Sequence, residues 1–219
     1  MRRHPVGRLS LVLATTILGC AALACAGEPG PSVGEPPASR GFFDSFVRGV
    51  NADFMTFGSL REMVEISDVV VIGRIERVGD GRTFGGRRGE RGTVDTLILH
   101  VRVDEVVRGD LERASREIAE IEVLRPEVGS VEELHAQKPD EPLLFILQDT
   151  ADQPQAAQID DSGADHSEGK RIYTVPTFKG AFIDDERGLR TPFDPSLTRY
   201  DRSVHARTLE ELADEIREM

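Results

Sequence analysis

The chain has almost no cysteine. Cys20 and Cys25 are the only two in 219 residues, so nothing after position 25 can be held by a disulfide. A Cys-x4-Cys pair with no second pair and no nearby histidine also cannot complete a four-ligand zinc shell. Other signatures are missing too. There is no G-x-x-x-x-G-K-[ST] phosphate loop, no H-E-x-x-H or His-x-His group, no G-x-S-x-G elbow and no D-x-[DN]-x-[DN]-G calcium loop. His100, His135, His166 and His205 stand far apart. No cofactor or metal is therefore expected from a motif. No apolar run reaches the ~20 residues of a permanent membrane helix. Cations are also outnumbered, 27 Lys and Arg against 39 Asp and Glu.

What is present begins with location. Arg2, Arg3 and Arg8 precede an uncharged apolar run over 9–24 that ends in small residues, the layout of an export signal. Residues 1–24 are expected to be removed. Both cysteines lie near the end of this run, and each is preceded by a lipobox-like tripeptide, Ile17-Leu18-Gly19 before Cys20 and Ala22-Leu23-Ala24 before Cys25. Cys25 sits where apolar residues stop, so it is the first choice for lipid attachment and Cys20 the second. The expected location is the outer face of the cell membrane, held by lipid. Ordinary secretion is the alternative, because Ala22-Leu23-Ala24 and Ala24-Cys25-Ala26 both have the A-x-A form of a soluble-secretion site. Without the three signal arginines, 24 basic residues face 39 acidic ones, a net charge near −15. That excess opposes binding to nucleic acid and to anionic membrane faces.

Residues 25–41 read as a Pro/Gly-rich tether, with too little apolar surface to offset chain entropy. Residues 42–57 form a Phe-rich arm in which Phe43, Phe46 or Val47, Val50, Phe54 and Phe57 fall near a helical stripe, as for a segment packed on the domain. The domain proper spans 58–219. Ser59 with Glu62, Ser130 with Glu133 and Thr208 with Glu211 each predict a capped helix. Strands are predicted at 68–78, over 96–107, at 119–126 and at 142–149, with a late pair near 171–176 and 179–184. In the second strand Leu97, Leu99, Val101 and Val103 alternate with Ile98, His100, Arg102 and Asp104, so one face is expected in the core and the other in water. The fold class is mainly β with flanking helices: a small five- to six-stranded antiparallel OB-like barrel, with signal and tether outside it.

The order SLREMVEISDVVVIGRIERV, a Gly/Arg segment, LHVRVDEVVRGDL, a later LLFIL and a final TLEELADEI resembles an uncharacterised group of exported actinobacterial lipoprotein-type domains. More distantly it is similar to the OB-type barrel of tissue-inhibitor and netrin-like modules. That resemblance implies the barrel. It does not imply the inhibitors' mechanism, which needs a free N-terminal cysteine and a disulfide framework that this chain lacks.

Two stretches bear on chemistry. Residues 79–92 carry Arg82, Arg87, Arg88 and Arg91 among glycines and read as a hairpin loop able to contact anions. Residues 148–169 carry Asp149, Asp152, Asp160, Asp161, Asp165 and Glu168 with no cation among them and read as a disordered insertion. The function expected is a membrane-anchored extracytoplasmic binding or scaffolding domain. Its partner would be an envelope protein or an anionic cell-wall polymer. A secreted hydrolase, or a modulator of one, is the alternative.

Overall fold

A computed structural model describes residues 38–49, 57–152, 159–185, 188–192 and 206–219. Both cysteines, the signal, most of the tether and part of the Phe-rich arm lie outside these residues.

Helix α1 (Ala38–Gly49) starts inside the stretch read as tether. Its Phe42, Phe43 and Phe46 are at most 2% exposed, with the Phe42 and Phe43 rings edge to face at 5.2 Å. Each such ring contributes about 1.5–3 kcal/mol on leaving water. Helix α2 (Leu60–Glu65) is opened by Ser59, whose hydroxyl accepts the Glu62 amide at 3.2 Å. The Glu62 carboxylate reaches one residue further back, to the Gly58 amide.

Two long strands follow, β1 (Val69–Phe84) and β2 (Val94–Gly109), then β3 (Ile118–Leu124). Helix α3 (Val131–Ala136) has a full reciprocal capping box between Ser130 and Glu133. The remaining strands are β4 (Leu143–Asp149), β5 (Ile159–Asp160), β6 (Ile172–Thr174), β7 (Ala181–Asp185) and β8 (Gly188–Arg190). Helix α4 (Leu209–Arg217) closes the chain, capped by Thr208.

The protein is mainly β, with eight strands and four helices among the described residues. Five strands close a ring in the order β1-β2-β3-β6-β4 and back to β1, while β5, β7 and β8 extend the sheet outside it. Two features differ from the sequence expectation. There are eight strands, because β5 and β8 are two and three residues long and carry no periodic signature. The sheet is mixed, because β3 and β6 run parallel. An odd number of strands cannot alternate direction all the way round a closed ring, so at least one parallel pair is required.

The ring interior is filled by side chains. Val71, Ile75, Leu97, Leu99, Val101, Ile121, Phe145 and Leu147 form one cluster with the α1 phenylalanines. On the other side of β1 and β4, Val70, Leu144 and Ile146 meet Leu60 and Met63 of α2 and Leu212 and Ile216 of α4 in a second cluster. Residues 143–147 of strand β4 are all apolar because both faces are covered there.

Candidate functional site

On the outer face of β1, β2 and β3, opposite the filled interior, polar side chains line up across the strands. Arg77 is paired in register with His100, and His100 with Glu120. Their inward neighbours Val78, Leu99 and Ile121 belong to the interior cluster, as the strand alternation requires. Outward positions of a surface sheet are normally wet, yet His100 is 6% exposed and Glu120 is fully buried. Residues 161–170, between β5 and β6, lie over them.

This cover makes specific contacts. Asp165 pairs with Arg77. The Ser167 amide donates to both Glu120 carboxylate oxygens at 3.1 and 3.0 Å, and its hydroxyl donates at 2.6 Å. The Asp165 amide donates to the Asp80 carbonyl at 2.6 Å, and Lys170 reaches the Ile118 carbonyl at 3.5 Å. Gly79 leaves a notch in β1 for the Asp165 side chain: a Cβ at position 79 would collide with its Cβ and carboxylate.

His100 is the unusual member of the row. A guanidinium can only donate, so the 3.5 Å approach of Arg77 Nη2 to His100 Nδ1 puts the neutral ring's proton on Nε2. Among the described residues that nitrogen is buried without a hydrogen-bond partner; the carboxylate oxygen Asp165 Oδ2 is 3.7 Å away. Burial, then the Arg77 charge, lowers the ring's pKa to about 4; Glu120 opposes the shift and Lys170 adds to it.

A second ionic group lies further along the same face. Glu122 takes a two-pronged contact from Arg82, Nε to Oε1 at 3.0 Å and Nη2 to Oε2 at 2.6 Å. Thr96 Oγ1 is 2.8 Å from Oε1, and the Arg82 guanidinium also lies over the Phe84 ring. On the opposite side of β1, in register with Leu97 of the interior cluster, Asp80 holds Arg88 and Arg125 at 2.8 and 2.7 Å, and Arg88 also donates to the Gly81 carbonyl. Of the four loop arginines expected to meet anions, Arg82 and Arg88 are thus engaged with carboxylates of this chain, while Arg87 and Arg91 have exposed side chains. The loop itself is shorter than 79–92, since β1 runs to Phe84; Gly85, Gly89 and Gly92 take positive φ and turn the chain toward β2.

Of the stretch read as a disordered insertion, residues 153–158 lie outside the described residues, whereas 148–149 belong to β4 and 159–169 carry the cover. Asp160 accepts the Ser162 hydroxyl and amide and the Arg88 amide, and these bonds lower its pKa. The partners of these acids come from outside the stretch: Arg77 of β1 for Asp165, the Arg88 amide of the hairpin loop for Asp160, and Arg171 before β6 for Asp149.

Sequence reasoning missed Arg77, His100, Glu120 and Asp165 as a group. A signal existed: opposite charges at outward positions of neighbouring strands. It becomes readable only once the register is known.

Elsewhere, an open groove of about 420 Å³ is lined by Arg74, Glu76, Arg102, Lys138 and Asp140. Its charges answer one another, with Arg74 paired to Asp104, Arg102 near Glu76, and Lys138 near Asp140. Among the described residues no group of three or more His, Cys, Asp or Glu is placed to hold a metal ion, and no helix is long and apolar enough to cross a membrane. No family model, curated protein or solved structure matches the chain.

Proposed function

We propose that this chain is an extracytoplasmic lipoprotein, anchored through Cys25 to the outer face of the cell membrane, whose folded part is an OB-like barrel that binds or scaffolds an envelope partner. The ring order, with α3 between β3 and β4 and one parallel pair at β3–β6, supports the OB-like assignment. The observation that carries the binding reading is the division between the two faces of β1–β3. The inner face is packed with aliphatic and aromatic side chains, while the outer face bears ionisable groups that are buried and answered by main-chain amides. Such an arrangement recognises shape and charge on the outside of the ring.

The anchor rests on the apolar-to-linker boundary at Cys25. The partner is an envelope protein or an anionic cell-wall polymer; the exposed cations Arg87 and Arg91 support contact with an anion against the chain's net negative charge. Crosslinking on intact cells tests this reading. Recovery of the chain with the membrane, joined to a discrete envelope component in a saturable way, is the expected result. A chain found in the medium, with no saturable retention on isolated envelopes, overturns it.

A further inference from the structure

The Arg77–His100–Glu120 row asks a ligand for three things at once: an anion for Arg77, N–H donors for Glu120 and for the Asp80 carbonyl, and an acceptor for the His100 Nε2 proton. Residues 165–167 supply the first two. They do so as a bound peptide would, with one acidic side chain, two main-chain amides and a hydroxyl. They leave the third unmet, since Asp165 Oδ2 stops 3.7 Å short of Nε2. A buried donor left without a partner is a cost, and a ligand whose carboxylate sits about an ångström closer would remove it.

We propose that the outer face of β1–β3 is a recognition site for an acidic peptide segment of a partner, with an Asp or Glu in the Gly79 notch, and that residues 165–167 of this chain occupy it as an intramolecular ligand. The proposal rests on the binding-module reading and assigns the partner chemistry. Donors are what separate a peptide from a phosphate here, because Glu120 and the Asp80 carbonyl accept and cannot meet an acceptor-rich anion; a uronic-acid polymer has hydroxyl donors but no main-chain amides like those of residues 165 and 167. The cover also explains how charged residues come to be buried on an outward sheet face.

Displacement from outside competes with a tethered segment whose effective concentration is of millimolar order. Apparent affinity for a partner peptide therefore falls by the fraction of molecules left open.

The test uses the full chain in detergent and a labelled peptide with the sequence of residues 163–169, Gly-Ala-Asp-His-Ser-Glu-Gly. The parent is expected to bind it weakly. Asp165→Ala with Ser167→Ala, which removes the carboxylate and hydroxyl of the internal ligand and leaves its main-chain amides and the row intact, should bind at least tenfold tighter. Adding Arg77→Gln, or Gly79→Ala to fill the notch, should return binding to the parent's level. Asp165→Asn keeps the shape of the cover and should give an intermediate gain of about threefold, so the comparison survives if the double variant does not fold. Equal peptide affinity in the parent and a folded cover variant overturns the proposal, as does a gain indifferent to Gly79→Ala. Equal binding of an oligo-uronate overturns the peptide assignment. Failure of both cover variants to fold also overturns it, because the segment would then be a required part of the domain. Envelope retention of the parent is read separately, so the site can fail while the binding-module reading stands.

Discussion

His100 should make the protein acid-sensitive in a way that a single substitution removes. Its ring is enclosed by Arg77 from β1, Glu120 from β3, and Asp165 and Lys170 from the cover. In the folded chain it gains a proton only near pH 4, against an ordinary value of 6.5. Between those two values the unfolded chain binds more protons, so stability rises with pH across the window and is lost as pH falls through it. The full difference corresponds to about 3 kcal/mol, of which about 2 kcal/mol is lost between pH 7 and pH 4.5. For a chain of this size that is about 4–8 °C in melting temperature. Carboxylates titrate in the same range, so the parent's own pH profile does not isolate the ring. His100→Gln does, because glutamine fills a similar space and stays neutral. The assay is the thermal melt of parent and variant at both pH values. His100→Gln should melt below the parent at pH 7 and lose about 4–8 °C less on acidification. Parallel losses, equal within about 1 °C, would refute the reasoning and show that His100 binds its proton as easily in the folded chain as in the unfolded one.

Cys25→Ser should release the chain into the medium on cell fractionation while Cys20→Ser stays with the membrane; the reverse pattern would move the anchor to Cys20. Arg82→Ala should cost about 3–5 kcal/mol in denaturant unfolding, because it strands the Glu122 carboxylate, whose side chain is 5% exposed, without its counter-ion; a loss under about 1 kcal/mol would mean that Thr96 and water suffice. Arg87→Ser with Arg91→Ser should leave the melting temperature unchanged and weaken capture on anionic envelope polymer, and salt should weaken the parent likewise, since exposed charges are screened within about 10 Å at 0.1 M. Equal capture of parent and variant at low salt would assign those two side chains to solubility alone.

The features legible in the sequence were those whose cause is local. Ser59, Ser130 and Thr208 each cap a helix by accepting an amide three residues on, so the signal and the contact occupy the same few positions. The alternation of Leu97, Leu99 and Val101 placed one face of β2 in the core correctly. The same alternation put Ile98 and His100 in water, and both are buried. The segment that covers the row, Asp165 to Lys170, lies some 65 residues further along the chain, and nothing in an alternating pattern announces it. A barrel is the sequence expectation, but the pairing that closes the ring was illegible for a related reason: the three-residue β6 pairs with β3 and β4 through contacts set by the whole topology.

The arginine loop shows how composition misleads when partners are distant. Arg82 and Arg88 were read as outward-reaching because glycines surround them, but β1 continues through Phe84 and carries Arg82 across the face to Glu122, 40 positions away. A glycine in this region also serves close approach, as at Gly79 under Asp165. The face that results has little apolar content, and its cover is held by ion pairs, amides and one hydroxyl. Of these contacts the Arg77–Asp165 pair, with side chains 49% and 39% exposed, is weakened by salt and by competing charges far more than packed aliphatic side chains are. The molecule therefore carries two separable kinds of cohesion on the two sides of β1–β3. Substitutions such as Ile121→Ala or Leu99→Ala act on the interior and should lower stability by about 2–5 kcal/mol, whereas changes at Asp165 and Ser167 act on what the outer face can hold.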